Sequence, residues 1–252
     1  MGRSHALSGW CAGLAVAGSL GQHHPAGKLV LATVTAGFAL LPDLDHRGST
    51  ASRLLGPVTA AVSWLVRTIA VVIYRYTAGP RDEPVSGEHR TFWHSGVAAG
   101  LLGLAAGYGT AAGGHLVVLG VLVTGVLLAV AALGDWVLLP AGFALVAAFV
   151  QGPQAVLDDV AGWPIGVVVA VGCVVHDLGD MLTKSGCPLL WPVPIAGETF
   201  FELRPPSWLR FRTGGPVENI VVFPALAVAA VLLVPGVWPV VSTLFTRLGA
   251  VA

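Results

Sequence analysis

From residue 95 to residue 157 the chain carries one formally charged side chain, Asp135. A soluble fold needs polar side chains to cover its surface and cannot spare them over so long a run. A helix crossing bilayer hydrocarbon, in contrast, needs about 20 mostly apolar residues in a row. The block therefore reads as three membrane passes, with turns expected at 111–115 ("AAGGH") and 134–136 ("GDW"). The whole chain agrees: 55% of its 252 residues are hydrophobic and 10% are charged, where soluble domains carry about 25% charged residues. Mean hydropathy is +0.81. These features predict an integral membrane protein, and a net charge of zero points to no particular partner.

Further uncharged segments lie at 6–22, 29–42, 163–175 and 219–246, the last long enough for one span followed by a re-entry broken at Pro235 and Pro239. The expected fold is all-α, a polytopic membrane helix bundle of seven to eight hydrophobic segments forming one unit over residues 1–252. Segments 6–22 and 29–42 are short for a span, which suits helices buried inside the bundle or tilted. The first segment, interrupted by glycine and preceded by His5, reads as a retained helix rather than a cleaved leader. Residues 54–78 are apolar enough to span, yet Arg67 and Arg75 share a helical face. An interfacial or re-entrant helix is expected there, with its arginines in water. Cys11, Cys173 and Cys187 are scattered, which argues against a disulfide framework or a thiolate zinc site.

Against this background the polar clusters stand out. His5 precedes the first segment; "LPDLDHRGS" (41–49) holds Asp43, Asp45 and His46; "GEHRTFWHSG" (87–96) holds His89, Arg90 and His94. "HDLGDMLTKSG" (176–186) holds His176, Asp177 and Asp180, and Glu218 opens the last apolar segment. All sit at segment ends, and if 54–78 returns to its own side all share one end of the bundle. Charged groups that leave water must be paired, metal-bound or functional. His176 and Asp180 are four apart, on one helix face and within reach of one ion, while Asp177 points about 100° away. Imidazole and carboxylate without thiolate suit a hard-to-borderline divalent ion, zinc or manganese. Taken singly, each cluster also fits helix capping, an interfacial histidine or a dipole partner. Taken together they hold five of eight histidines: His5, His46, His89, His94 and His176. His23, His24 and His115 are assigned no role.

"LPDLDHRGS", "HRTFWHS" and "HDLGDMLTKSGCPLLWP", in this order after an N-terminal histidine, closely resemble the YdjM family of bacterial inner-membrane proteins. The resemblance runs from about residue 5 to about residue 220. It implies a predicted metal-dependent hydrolase, in a family some of whose members answer to the DNA-damage repressor. That family is distantly similar to zinc-dependent phospholipase C and to single-strand-specific zinc nucleases, all-helical enzymes with a trinuclear zinc site. Their ligand order implies His5, Asp43, His89 or His94, and then His176 with Asp180 as the metal ligands, Asp180 bridging two ions. No HxxxE follows residue 180, where those enzymes have one, so one or two ions are expected, with Glu218 a partial substitute.

The function expected is hydrolysis of a phosphoester by metal-activated water at the membrane surface. The metal ligands would be His5, Asp43, His89, His94, His176 and Asp180. Asp45 or Glu218 would be a further ligand or orient the water as general base. Arg90, with Arg210 or Arg212, would neutralise phosphate. A site at headgroup level favours a phospholipid or lipid-linked phosphate, and nothing points to nucleic acid or to an oligomeric state. Arg3, Arg47, Arg53, Arg81, Arg90, Lys184, Arg204, Arg210 and Arg212 gather at the motif end, against Lys28 at the other, which places the site on the cytoplasmic face of the inner membrane. The alternatives are a metal transporter or sensor using the same ligands, or a non-enzymatic scaffold. Ligands at helix ends rather than mid-membrane favour the enzyme over the transporter.

Overall fold

The computed structural model describes residues 1–22 and 24–249 and is helical, with no strand among them. The helices are α1 (Gly2–Ala17), α2 (Pro25–Phe38), α3 (Thr50–Arg53), α4 (Pro57–Thr77), α5 (Gly96–Ala112) and α6 (Gly114–Leu133). They continue with α7 (Leu138–Gln151), α8 (Pro153–Val160), α9 (Trp163–Met181), α10 (Phe223–Leu232) and α11 (Val237–Gly249). His23 lies outside the described residues.

The uncharged block 95–157 folds as anticipated into α5, α6 and α7, broken at Gly113 and at Gly134–Val137. Gly134 takes φ +93°, a conformation that costs other residues more than glycine and ends α6 sharply. Four helical stretches are long and apolar enough to cross a membrane: Pro25–Asp45, Pro57–Thr77, Gly114–Leu133 and Trp163–Met181. Glu218–Leu232 and Val237–Leu248 make a fifth if taken as one span, bent by 94° at the break around Pro235. The expectation of seven to eight segments therefore meets four or five by length, because Gly96–Ala112 and Asp135–Ala147 are apolar but short. At 1.5 Å per residue, the 16 residues of α1 reach about 24 Å, less than the roughly 30 Å of hydrocarbon.

α2 is the hub. It packs against α1, α6, α7 and α9, and 72% of its stretch is buried. Leu7, Trp10 and Leu14 of α1 meet Leu29, Ala32 and Ala36 of α2 in one core cluster. Val34 and Phe38 of α2 meet Ile165, Val168 and Val169 of α9 in another. At Gly172 the backbones of α9 and α2 nearly touch, since a Cβ there would lie 2.9 Å from the Ala39 nitrogen and from the Thr35 carbonyl. That closeness brings the end of α9 against the end of α2, where the polar clusters begin.

The opposite end holds its own polar contacts. Gln22 donates to the Asp159 carbonyl at 3.1 Å, and His115 lies 2.8 Å from an Asp158 oxygen. Both aspartates belong to α8, a short helix between α7 and α9. His115, assigned no role, is thus an exposed partner of Asp158.

Candidate metal centre

Five elements converge on one polar cluster. His5 comes from the first turn of α1, Asp43 and Asp45 from the 3-10 turn Pro42–Asp45 that continues α2, and His89 and Arg90 from the loop after α4. His94 ends the 3-10 turn Phe92–His94, and His176 and Asp180 lie in the last turns of α9. Pro42 at the start of its turn stops α2 and sends two carboxylates down from the most buried helix.

Asp180 is the centre of the arrangement. Its Oδ1 lies 3.3 Å from His5 Nε2. Its Oδ2 lies 3.6 Å from His94 Nε2, 3.7 Å from His176 Nε2 and 3.0 Å from Arg90 Nη2. Asp43 Oδ1 stands 3.8 Å from His176 Nε2. Asp45 takes the other flank, with Oδ1 at 2.6 Å from His89 Nδ1 and Oδ2 at 3.2 Å from His94 Nδ1. Asp45 also accepts the backbone N–H of Arg90 at 3.1 Å. The rings of His5 and His176 stack with centroids 3.9 Å apart.

His5, Asp45, His94, His176 and Asp180 are buried, and several polar atoms of the cluster lack a hydrogen bond. Both ring nitrogens of His94, Nε2 of His176 and both oxygens of Asp180 are buried without a well-aligned hydrogen bond, although Asp45 and Arg90 form ion pairs with His94 and Asp180. Orphaned polar atoms in such number cost several kcal/mol in total unless something satisfies them. The spacing indicates what would. Two ligands of a tetrahedral ion at about 2.0–2.1 Å lie about 3.3 Å from each other. Several donor pairs here are 3.3 to 3.8 Å apart, too long for good hydrogen bonds and suited to sharing an ion. Three groups of ligand atoms lie within 4.8 Å of one another: His5, His176 and Asp180; Asp43, His94 and His176; and Asp45, His89 and His94.

The surroundings hold this geometry. His176 Nδ1 lies 2.8 Å from the Ala39 carbonyl, so it carries the proton and leaves Nε2 as the free donor toward the cluster. Cys187 Sγ donates to the His94 carbonyl at 3.0 Å and fixes that turn. Burial, and after it the nearby carboxylates of Asp177 and Asp180, push the Cys187 thiol well above its ordinary range. It stays a thiol donor rather than a thiolate ligand. At Gly179 a Cβ would come within 2.9 Å of the His5 ring, so α9 passes His5 with no room for a side chain. Burial alone would lower the pKa of His94, but the adjacent Asp45 carboxylate outweighs it and raises it to about 9. Without an ion, a proton balances that part of the charge.

Every ligand anticipated from the sequence lies in the cluster; Glu218 does not. Its Oε1 accepts from Ser4 Oγ at 2.8 Å and lies 3.4 Å from the Met1 amino group. Its Oε2 accepts from the Gly214 N–H at 2.7 Å. Glu218 therefore links the start of α1 to the start of the last apolar segment, and its contacts are those of an anchor rather than of a ligand in the cluster. His46 lies outside the cluster, with its Nδ1 accepting from the Gly48 N–H at 3.2 Å. Asp177 was passed over and is fully buried, with both oxygens unpartnered. Its signal in the sequence was the cost of a second aspartate inside an apolar helix.

Beside His89 and Arg90 opens a cavity of about 710 Å³, also lined by Arg204 and Arg210 and by Glu83 and Glu198. Arg212 is exposed and does not line it. Arg90 holds a left-handed backbone at φ +55°, a strained conformation for a non-glycine residue, which aims its guanidinium at Asp180.

Fold and cluster together define a helical membrane protein with a buried His/Asp site of metal-binding composition. The chain belongs to the family described as YdjM inner membrane protein, whose model matches residues 1–241. No curated protein and no solved structure matches it.

Proposed function

We propose that this protein is a metal-dependent hydrolase of the inner membrane that cleaves a phosphoester of a phospholipid or lipid-linked phosphate. The observation that carries the reading is the set of buried, unpartnered His and Asp atoms at ligand-like spacing, opening beside Arg90 onto a cavity with further arginines.

His5, His176 and Asp180 would hold one ion, and Asp45, His89 and His94 a second. These two groups share no residue, and the third group borrows His176 and His94 from them. His176 has only Nε2 to give, because Nδ1 is committed to Ala39. The donor set thus supports one or two ions, with zinc favoured by its histidines. Such an ion supplies Lewis acidity toward a phosphoryl oxygen and acidifies water. The chain's own residues do the rest. Arg90 lines the cavity with its Nη2 held by Asp180, and its remaining N–H groups would meet phosphate together with Arg210. Asp43, about a quarter exposed at its side chain, is the carboxylate of the cluster with most access to water and suits orientation of the attacking molecule. The arginine excess at this end supports a cytoplasmic site.

The test is metal content by mass spectrometry on detergent-purified protein, wild type beside a His176→Ala, Asp180→Ala double variant, followed by a screen of phosphodiester and phospholipid substrates. Wild type should hold about one to two zinc ions per chain and the variant none, with hydrolysis lost in parallel. Metal-free wild type after zinc is supplied would remove the reading.

A further inference from the structure

Helix α4 matches a membrane span in length and composition, yet its inner face rests mainly on short turns at the metal end, among them the last turn of the Pro25–Asp45 stretch. It packs on α3 and on the two 3-10 turns that carry Asp43, Asp45 and His94. Its hydrogen bonds follow suit. Trp93 Nε1 donates to the Val66 carbonyl at 2.7 Å, Tyr74 Oη donates to the Glu83 carbonyl, and Trp191 Nε1 reaches Thr77 Oγ1 at 3.4 Å. Trp93 lies in a 3-10 turn, and Glu83 and Trp191 lie in loops. If α4 crossed the bilayer, those segments would lie in hydrocarbon beside it, where irregular backbone facing lipid is not tolerated. Asp82 and Glu83 would go with them.

The outer face is bare and apolar: Val58 is 63% exposed, Leu65 51%, Val72 47% and Tyr76 85%. Only 17% of the helix is buried. At the edge between the two faces lies a cavity of about 320 Å³ lined by Arg47, Arg53 and Arg67 with Ser52 and Ser63. Among the described residues, arginine ion pairs are confined to Arg47, Arg90 and Arg204, so Arg53 and Arg67 have no carboxylate. Arg47 has Glu88 at 3.5 Å, on an exposed bond. In a chain with 10% charged residues, three arginines lining one hollow beside a bare apolar face, two of them without a carboxylate, make a complementary seat for an anion with acyl chains.

We infer that α4 lies in the membrane interface over the metal end and that the Arg47–Arg53–Arg67 hollow binds the phosphate of an anionic membrane phospholipid. The apolar face sits among the upper acyl chains while the arginines meet the headgroup layer. The seat draws Arg47 and Arg53 from the segment that directly follows Asp43 and Asp45. The inference stands apart from the hydrolase reading, since neither test below needs metal or turnover.

Nitroxide labels at Val58→Cys and Val72→Cys, in a Cys11→Ala background reconstituted in bilayers, measure depth. An interfacial helix puts both at similar shallow depth. A spanning helix separates them by about 21 Å, and that result overturns the inference. Phosphatidylglycerol, phosphatidylcholine and inorganic phosphate are then titrated against detergent-purified protein, with binding read by native mass spectrometry and thermal stabilisation. Phosphatidylglycerol should bind, weakened about fivefold by Arg53→Gln and by Arg67→Gln singly and unchanged by Arg75→Gln outside the hollow. Equal binding of phosphatidylcholine, full replacement by inorganic phosphate, or an equal loss in Arg75→Gln each overturn the lipid assignment. Should one arginine variant fail to fold, the other still decides.

Discussion

His5 and His176 stack ring on ring, 3.9 Å between centroids and 23° between planes, although one opens the first helix and the other closes α9. Neutral imidazoles gain little from such a contact. Two imidazoles turned toward one carboxylate, Asp180, gain much more if an ion lies between them. His5→Ala should therefore strip metal from the protein while leaving helix content unchanged. At least a 100-fold loss of zinc affinity, read by competition with a chelator, is expected. Retention of full zinc content would remove His5 from the ligand set.

Gly179→Ala separates site geometry from helix stability. Alanine in a helix interior normally stabilises by about 0.8–1 kcal/mol over glycine. Here the new methyl group would press into the His5 ring at 2.9 Å. Zinc affinity should fall about 10- to 100-fold, the scale of disturbed ligand positioning. A variant that is both more thermostable and fully metal-loaded would show that His5 has room to move.

The pH dependence of the metal-free protein follows from His94. Its folded pKa of about 9 lies above the ordinary 6.5, so its protonated pairing with Asp45 stabilises the fold. That contribution is full below pH 6.5 and is lost as pH rises through 9. Chelator-stripped protein should melt at a lower temperature at pH 9 than at pH 6.5, and His94→Gln should flatten the difference. Zinc must displace the same proton, so zinc affinity should rise across that interval. A stripped protein that gains stability toward pH 9 would contradict the assignment.

Glu218→Gln tests an anchor against a catalytic base. Its oxygens are taken by Ser4, the Met1 amino group and the Gly214 N–H. Weakening these buried bonds should cost about 1–3 kcal/mol of stability. Zinc content should not change, and hydrolysis per folded molecule should fall less than twofold. A large loss of turnover with stability intact would restore the catalytic role.

Much of this site was legible because its chemistry is expensive in hydrocarbon. A histidine and an aspartate four apart at the end of an apolar helix announce one shared face, and in the fold they meet at 3.7 Å. Asp43 and Asp45, alternating after Pro42, suit a strand or a turn, and the fold makes a 3-10 turn of them. The breaks at residues 113 and 134 were readable from glycine. Other features depend on distant partners. Glu218 has the pattern of a helix-start carboxylate whether it serves an ion or Ser4, and only the fold brings Ser4 beside it. Asp177 was judged by its angle on an isolated helix, which cannot tell that the far side of α9 is buried as well. The strain at Arg90 is invisible because arginine carries no preference for positive φ.

The two ends of the ligand set also order events during synthesis. His5 is made 175 residues before Asp180. At 5–20 residues per second, about 10–35 s separate them. Until α9 has been inserted and has found α2, no nascent chain presents the complete set of donors. The assembled cluster is therefore a mark of finished insertion, and a metal ion captured there would clasp the first helix to the ninth only in molecules whose core is already built.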